Sequence, residues 1–584
     1  MLMHYTDERN IQIVIGLLKE HGIRKVIASP GATNVSFVGS IQQDPFFEIY
    51  SAPDERSAAY IACGMAAESK EAVVLSCTGA TASRNYMPGL TEAYYRNLPV
   101  LAITSTQHTG RISALVPQVI DRFARPNDIV KASVQIPTVQ SPDDEWNAIV
   151  KANTAILELF HHGSGPVHIN LATVYSLNYS VKELPPVRKI SRISVTGKYP
   201  DLPDGKIGIF VGAHSAWTKE SIEVVDAFCK KYDAAVFCDH TSNYDGAYRV
   251  DFSLACYQST GWEVFIPDLL IHVGQISGDY PSYRVGETAH TKQVWRVSPD
   301  GKIADTFRKM TYMFEMEEDD FFRHYADQGS DRQGRGTYAA DCRAYVTRLY
   351  ESLPELPFSN IWIASQTASS LPKNSVVHLG ILNSLRAWNL FVFPQGVQGF
   401  SNTGGFGIDG CLSAELGGTL AQKDKLHFLI LGDLAFFYDM NALGNRHVAN
   451  NMRVLLINNG RGTEFRNFNH PASAFEQDAD CYMAAGGHYG NKSPDLVRHY
   501  AEDLGFKYFS ASTKEEYLAV KDLFFQPETA NRPMLLEVFT DSQAESDALQ
   551  MVLSLNNDLK KTAKDAVKKI IGKDGVRFLK TIIH

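Results

Sequence analysis

Short, continuously apolar segments that end in a turn recur along this chain, and they constrain its fold more than any other feature. Examples are KVIASPG, AVVLSCTG, KIGIFVGAHS, LHFLILGD and RVLLINNG. Runs rich in Val, Ile and Leu without polar alternation are typical of strands in a parallel sheet that is covered on both faces. Segments with helical periodicity, such as residues 7–21, lie between them. The pattern predicts doubly wound α/β domains.

Two polar segments divide these strands into three groups. Residues 181–205 are rich in Pro, Lys and Arg, and residues 328–357 are polar and end near LPELP. Both compositions are typical of linkers. We therefore predict an α/β fold of three domains, each with a doubly wound parallel sheet. The predicted ranges are 1–185, 195–335 and 355–545, followed by a helical tail over 546–584 whose lysines form a solvated face or contact an anionic partner.

Charge and composition exclude several classes of function. The 584 residues carry a net charge of −9, which argues against broad nucleic-acid binding because that needs a basic face. The sequence contains neither an apolar run of membrane-spanning length nor a signal-peptide core at its start. Its 8 cysteines include no CxxC pair, which argues against a disulfide framework or a zinc ribbon. We predict a cytoplasmic protein that binds neither nucleic acid nor membrane.

The strongest local signal is a pair of buried strands that end in oxygen-bearing side chains. One strand ends at Gly432-Asp433, and another ends at Asn459, 26 residues beyond Asp433. Adjacent parallel strands end side by side, so these two side chains are expected to meet. Their oxygens suit Mg²⁺, with the Arg461 carbonyl as a further ligand, and the helix after Asp433 suits a diphosphate. The alternative is two ordinary strand-end turns, which Asp and Asn also favour.

This pair of strand ends resembles the cofactor signature of thiamine diphosphate (ThDP) enzymes. The resemblance implies a pyrimidine-binding, a central and a diphosphate-binding domain, with ThDP and Mg²⁺ as cofactors. It also implies a homodimer or homotetramer with the cofactor between two subunits. The metal ligands implied are Asp433, Asn459 and Arg461. The cofactor-binding residues implied, besides Glu55, are Ser384, Gly407, Ile408, Gly432, Asp433, Leu434, Ala435, Asn459, Arg461 and Gly462.

A second segment, DERSAAYIACGMA, places Glu55 at the start of a helix rich in small residues. In ThDP enzymes a glutamate at this place binds the pyrimidine N1′ and promotes loss of the thiazolium C2 proton. By resemblance we assign this role to Glu55, and burial would raise its pKa toward neutrality. The alternative is an acid that stabilises a helix start, with Asp54 as the N-cap.

Within the ThDP enzymes, the chain is most similar to the menaquinone-pathway SEPHCHC synthases. The similar stretches include STQHTGRISALVPQVIDR, FSNTGGFGIDGCLSAELGGTLA and INNGRGTEF. Those enzymes decarboxylate 2-oxoglutarate and add the resulting carbanion to isochorismate. By this resemblance Ile408 props the cofactor into its bent form, and Gln118 contacts the substrate.

Three arginines of that family are replaced in this chain. Thr33, Trp388 and Thr403 stand where the synthases carry arginine, and neither Thr nor Trp can supply its charge. We therefore expect a kept cofactor site and a changed substrate pocket. Nearby arginines that could compensate are Arg84, Arg111 and Arg386. The substrate residues that we predict are Thr33, Asn34, Thr78, Gln118 and Thr403.

Two histidines, His108 and His470, lie in segments near the expected site, where either could transfer a proton or orient a carboxylate. The alternative for each is a surface or loop position. Together these features predict a ThDP- and Mg²⁺-dependent enzyme that decarboxylates a 2-oxo acid and adds the carbanion to an acceptor, a carboligase. A simple decarboxylase that releases an aldehyde is the first alternative, and a non-catalytic subunit of the same fold is the second.

Overall fold

The computed structural model describes residues 4–122, 125–328 and 336–556. The chain forms two compact units: the first comprises residues 1–197 and 301–315, and the second comprises residues 198–300 and 316–584. Most of the predicted tail, including all its lysines, lies outside the described residues. All eight cysteines are free, and seven of them are buried.

The first unit contains a parallel sheet of six strands. Its order is β2-β1-β3-β4-β6-β5, which confirms the doubly wound fold predicted from the apolar segments. The strands are β1 (Lys25–Ala28), β2 (Glu48–Ser51), β3 (Val73–Cys77), β4 (Val100–Thr106), β5 (Ala132–Ile136) and β6 (Val167–Ala172). The helices are α1 (Arg9–Glu20), α2 (Val35–Ile41), α3 (Glu55–Ser69), α4 (Thr81–Asn85), α5 (Met87–Tyr95) and α6 (Pro142–Glu158).

Both faces of this sheet are covered, as the absence of polar alternation predicts. Val26 and Val74 pack into one apolar cluster with α1 and α6. The next residues, Ile27 and Leu75, pack into a second cluster with α3 and α5. The unit also contains the parallel pair β7 (Ser191–Ser194) and β13 (Met310–Glu315).

The second unit begins with the central group of strands. Their order is β10-β9-β8-β11-β12, and all pairs are parallel. The strands are β8 (Ile207–Val211), β9 (Ala235–Cys238), β10 (Arg249–Asp251), β11 (Leu269–Val273) and β12 (Gln293–Val297). The helices around them are α7 (Lys219–Tyr232), α8 (Ser253–Cys256), α9 (Arg284–Glu287), α10 (Glu318–Asp327) and α11 (Tyr338–Glu351).

The last sheet has the order β15-β14-β16-β17-β19-β18 and is again parallel throughout. The strands are β14 (Val376–Leu379), β15 (Gln398–Phe400), β16 (His427–Gly432), β17 (Met452–Asn458), β18 (Lys507–Ala511) and β19 (Met534–Phe539). The helices are α12 (Asn360–Thr367), α13 (Asn383–Asn389), α14 (Cys411–Ala421), α15 (Asp433–Asp439), α16 (Ala479–Tyr482), α17 (Leu496–Asp503), α18 (Lys514–Phe524) and α19 (Ser542–Leu553).

The six-stranded sheets of the two units share one topology, and each has a point at which the strand order reverses. In the first it lies between β1 and β3, and in the last between β14 and β16. Open α/β sheets bind ligands in the crevice at the carboxyl ends of such strands. Across the described ranges, no helix is both long enough and apolar enough to cross a membrane.

Candidate active site

The reversal point of the last sheet opens into a pocket, which we call the switch-point pocket. It has a volume of about 860 Å³, part of it open to solvent. The loops after β14, β16 and β17 all contribute to its lining. The residues that line it and that the sequence predicted are Ser384, Ile408, Gly432, Asp433, Leu434, Ala435, Asn459, Arg461 and Gly462, whereas Gly407 does not line it.

Asp433 is buried at the start of α15, 4% exposed. One carboxylate oxygen accepts a hydrogen bond from the Leu434 backbone N–H at 3.0 Å. Burial raises the pKa of this carboxyl group to about 7. A carboxylate held in this way without a basic side chain against it favours a cation as its partner.

Two adjacent asparagines lie at the end of β17, and their hydrogen bonds differ. Asn458 is bonded on both sides, since its Nδ2 donates to Glu537 at 2.6 Å and its Oδ1 accepts from the Gly460 N–H. The Oδ1 of Asn459, by contrast, is buried and has no hydrogen-bond partner among the described residues. Because β16 and β17 pair with Gly432 opposite Ile457, the free oxygen and Asp433 line one pocket. This donor set fits Mg²⁺.

The Arg461 carbonyl, the third predicted ligand, accepts a hydrogen bond from the Thr463 N–H at 2.9 Å. A carbonyl oxygen has two lone pairs, so this bond leaves one for a metal. The Arg461 side chain is engaged elsewhere, in an ion pair with Asp480 at 2.7 Å. Its Nε, however, is buried and has no hydrogen-bond partner among the described residues.

Leu382 lines the pocket, and its backbone has a positive φ angle, which leucine rarely adopts. Its φ is 68° and its ψ is −112°, directly before α13. Strain of this kind clusters at ligand sites, where surrounding structure holds it in place. It places Ser384, 3% exposed, in the first turn of α13 and in the pocket lining.

Arg386 does not supply the charge that the replaced arginines would have carried. Its guanidinium makes two hydrogen bonds of 2.8 Å with the two carboxylate oxygens of Glu464. Both residues line the switch-point pocket, so the pair presents no net charge there. Sequence reasoning missed Glu464, although it lies in the similar stretch INNGRGTEF.

Glu55 lies in the first unit, at the start of α3. Asp54 is the N-cap: its carboxylate accepts from the Arg56 N–H at 3.0 Å and from the Ser57 hydroxyl at 2.9 Å. The cap is thus complete without Glu55, whose carboxylate accepts only a 3.3 Å bond from Asn85 among the described residues. In the single chain Glu55 is partly exposed, so the expected burial is not provided by its own unit.

The predicted substrate residues of the first unit meet at its reversal point. The hydroxyl groups of Thr33 and Thr78 are 2.6 Å apart, and the Thr33 hydroxyl accepts from the Gly79 N–H at 3.1 Å. Asn34 is buried and donates to the Ser29 carbonyl at 2.9 Å. Gln118 is exposed and has a positive φ of 67°.

The remaining predicted residues lie in less direct positions. Trp388 is fully buried and donates its indole N–H to Asn360, and Thr403 is buried as well. His108 is exposed, with its Nδ1 accepting from the Gly110 N–H. The Nδ1 of His470 accepts from the Ala472 N–H, at the start of the 3₁₀ segment Pro471–Asp478. Neither histidine lines the switch-point pocket.

Comparison with known proteins finds relatives that match most of the chain. The family described as "Thiamine pyrophosphate enzyme, N-terminal TPP binding domain" matches residues 10–124. The 2-succinyl-5-enolpyruvyl-6-hydroxy-3-cyclohexene-1-carboxylate (SEPHCHC) synthase of Bacteroides fragilis is 31% identical over 570 residues, 94% of this chain and 98% of that protein. The synthase of Bacteroides thetaiotaomicron is 31% identical over 567 residues, with the same two shares.

A more distant relative covers nearly the same length. The SEPHCHC synthase of Flavobacterium johnsoniae is 26% identical over 552 residues, 91% of this chain and 95% of that protein. The similarity thus extends over both units and includes both reversal points. The chain belongs to the SEPHCHC synthase family, whose members are decarboxylating carboligases that use ThDP and a divalent metal, typically Mg²⁺.

Proposed function

We propose that this chain decarboxylates a 2-oxo acid and adds the resulting carbanion to an acceptor, with a substrate pocket that differs from that of the family's synthases. The cofactor side of the proposal is supported by the free, buried Asn459 oxygen beside Asp433 in the switch-point pocket. The changed pocket is supported by Thr33, Trp388 and Thr403, which stand where the resemblance places arginines.

The residues of the switch-point pocket would hold the cofactor as follows. Asp433, Asn459 and the Arg461 carbonyl would bind Mg²⁺. Ser384, Gly462 and the segment 432–435 would bind the diphosphate, and Ile408 would set the conformation of the cofactor. Bound ThDP supplies the electron sink for decarboxylation.

Glu55 would hold and move a proton at the pyrimidine N1′. Its carboxylate is free for this task because Asp54 alone caps α3. A general base acts in a site shielded from water, which burial of Glu55 in the assembled enzyme would provide. His108 and His470 are our candidates for later proton transfers, and Thr33, Asn34, Thr78, Gln118 and Thr403 for substrate contact.

We propose that a second copy of the chain provides this burial. The outward face of α3, directly after Glu55, exposes Tyr60 and Ile61 at 48% and 47%, and Tyr95 at the end of α5 is 68% exposed. Apolar surface gathered around a catalytic residue is typical of an interface. Ile61→Glu should shift the chain from dimer or tetramer to monomer in light scattering and abolish turnover. An unchanged mass would contradict this assembly.

The decisive experiment is CO₂ release from a panel of 2-oxo acids, with ThDP and Mg²⁺, by wild type and Glu55→Gln. The panel includes 2-oxoglutarate and 2-oxobutyrate, each with and without candidate acceptors. We expect Glu55→Gln to lower the rate of CO₂ release about 10²–10⁴-fold, which is the usual contribution of general acid–base catalysis to a rate. The matched control is Glu48→Gln, on β2, whose partly exposed carboxylate lies 3.6 Å from Arg24.

The outcomes separate the proposed function from its alternatives. Release that requires an acceptor identifies a carboligase, and an aldehyde product without an acceptor identifies a simple decarboxylase. If ThDP does not bind in the presence of Mg²⁺, the chain is a non-catalytic subunit and the proposal is wrong.

A further inference from the structure

Arg122 is buried in the first unit with most of its hydrogen-bonding capacity unused. The residue is only 8% exposed. Its Nη2 donates to the Ser105 carbonyl at 3.2 Å, whereas Nε and Nη1 have no hydrogen-bond partner among the described residues. A buried guanidinium in this state destabilises the folded chain, because its N–H groups have lost water without gaining acceptors. An anion that accepts hydrogen bonds from these N–H groups would stabilise the folded chain.

Further basic side chains surround Arg122. A pocket of about 420 Å³, part of it open to solvent, is lined by Arg84, Arg122, Arg125 and His168 together with apolar residues, and we call it the arginine cavity. Among the lining residues that the structure describes there is no carboxylate. Burial, reinforced by Arg122 and Arg125, lowers the pKa of His168 to about 3, so this imidazole is neutral. Burial also lowers the pKa of Arg122 to about 10, which leaves it charged at neutral pH.

Arg122 reaches the reversal point of the first sheet. The Ser105 carbonyl that it contacts, on β4, also accepts a 3.3 Å bond from the Thr33 hydroxyl. Its Nη1 lies 3.6 Å from the position that a Cβ atom on Gly79 would occupy. A side chain at this position would also meet the Gln118 and Ser105 carbonyl oxygens, 3.2 and 3.3 Å from its Cβ atom, so glycine allows this segment to lie close to Arg122. The carboxyl ends of strands at a reversal point are where such sheets bind ligands.

We propose that Arg122 binds a carboxylate group of the 2-oxo acid substrate, an inference that rests on the proposed function above. Guanidinium and carboxylate form strong, charge-assisted hydrogen bonds, and arginine is the usual residue for this recognition. Arg122 thereby supplies a charge that Thr33, although it contacts the same carbonyl, cannot supply. Arg84 is less suited, since its Nη2 donates to the Asp121 carbonyl at 2.9 Å.

The test compares Arg122→Met and Arg122→Lys with wild type, using the full-length chain with ThDP and Mg²⁺. CO₂ release is measured against the concentrations of 2-oxoglutarate and 2-oxobutyrate, which differ in a second carboxylate. We expect Arg122→Met to raise KM about 10–100-fold with a smaller change in kcat, as for loss of a charged hydrogen bond. Arg122→Lys should restore part of the affinity. Arg24→Met, at an arginine side chain that is 52% exposed, is the control and should match wild type.

The pattern of KM values locates the carboxylate. An increase confined to 2-oxoglutarate means that Arg122 binds the carboxylate remote from the keto group, and an equal increase for both acids means that it binds the one adjacent to it. Unchanged KM values for both acids would overturn the inference. Inorganic phosphate that inhibits wild type in competition with the substrate, but does not inhibit Arg122→Met, would show that Arg122 binds anions. If the KM values of the two proteins are the same, this anion site does not bind the substrate and the inference is wrong.

A second measurement excludes a merely structural role. Without substrate, Arg122→Met should melt at the same temperature as wild type or higher, because it removes an unpaired buried charge. A melting temperature several degrees lower would contradict the unpaired state and the proposal. Calorimetric titration with ThDP and Mg²⁺ separates the two failures. If wild type binds no ThDP, the proposed function fails, whereas ThDP binding and turnover with unchanged KM values mean that only the role of Arg122 fails.

Discussion

The first and last sheets of this chain have the same strand order but present opposite chemistry at their reversal points. At the reversal point of the last sheet, the Asp433 carboxylate is buried and the Asn459 Oδ1 has no hydrogen-bond partner among the described residues. At the reversal point of the first sheet, the buried Arg122 has Nε and Nη1 without partners, and the Ser29 Oγ and Asn34 Oδ1 are unpartnered as well. The Asp433 carboxylate is suited to a cation, and the Arg122 guanidinium is suited to an anion.

The difference indicates how this chain would keep the cofactor of its family and, as we propose, bind a different substrate. Asp433 and Asn459 at the oxygen-bearing edge are the residues that the resemblance assigns to the cofactor and its metal. At the other edge, Thr33 stands where the resemblance places an arginine, and the Arg122 guanidinium comes from the loop after β4. The topology of the sheets determines where ligands bind, and a few side chains determine the charge of the ligand that is bound.

Asp433→Asn should have the largest effect on this comparison, since it removes the charge from the oxygen-bearing edge. We expect ThDP binding to lose its dependence on Mg²⁺ and turnover to fall about 10³-fold or more, because even indirect supports of a metal cost 10–100-fold. Stability without cofactor should not fall, since the substitution removes a buried negative charge and keeps an oxygen that can accept the Leu434 hydrogen bond. The measurements are calorimetric titration of ThDP with and without Mg²⁺, and thermal melting.

The control for this prediction is Asp424→Asn, at an exposed position in the turn before β16. It should bind and turn over like wild type. If Asp433→Asn still binds ThDP in a Mg²⁺-dependent way, the Asp433 charge is not needed for the metal. The two edges would then not differ in the charge of the ligand that they bind.

The second prediction concerns Arg386 and Glu464, the neutral pair at the oxygen-bearing edge. Glu464→Gln leaves a guanidinium that is mostly buried without its carboxylate, which should cost about 3–4 kcal/mol of unfolding free energy. Replacing both residues, Arg386→Met with Glu464→Gln, should recover most of this loss. Chemical denaturation of the single and double variants measures the coupling. If the losses in unfolding free energy of the two single substitutions add up in the double variant, Glu464 does not neutralise Arg386. The Arg386 charge would then be available to a ligand.

Sequence reasoning was sufficient where a residue's position follows from strand ends alone. Asp433 and Asn459 were predicted to share a site because they follow two apolar strands, and the register of β16 and β17 places both in one pocket. It could not identify Glu464 as the partner of Arg386, because the two are 78 residues apart and packing selects the pair. Nor could it show that Arg122 is buried without partners, which depends on the fold of the loop after β4.

The third prediction tests the electrostatics around the switch-point pocket through Glu545, which lines it. This carboxyl group accepts from the Asn360 N–H and the Thr540 hydroxyl, and burial raises its pKa from 4.5 to about 7. The folded chain therefore retains a proton that the unfolded chain releases near pH 4.5. The stabilisation is complete below pH 4.5 and is lost as the pH rises through 7, by about 3 kcal/mol in all.

Glu545→Gln should remove this pH dependence. Wild type and variant are compared by denaturation between pH 4 and 8, and the difference between their unfolding free energies should change across that range. Asp547→Asn, at an exposed position two residues further along α19, is the control and should leave the wild-type slope unchanged. A constant difference between wild type and Glu545→Gln would show that Glu545 titrates near its ordinary pKa, and that the pocket is better solvated than its burial indicates.

The smallest expected effect concerns Thr33, which distinguishes the two edges most directly because it stands where the resemblance places an arginine. Its hydroxyl is already bonded to Thr78, Gly79 and the Ser105 carbonyl, so we expect it to support the loop and Arg122 to supply the charge. Thr33→Val keeps the shape and should cost about 1–2 kcal/mol of unfolding free energy, with KM for the 2-oxo acid changed less than threefold. Thr78→Val is the matched variant, since it removes the other hydroxyl of the same bond. A tenfold rise in KM without loss of stability would mean that Thr33 contributes more to substrate binding than we expect, and that the anion-binding character of this edge does not rest on Arg122 alone.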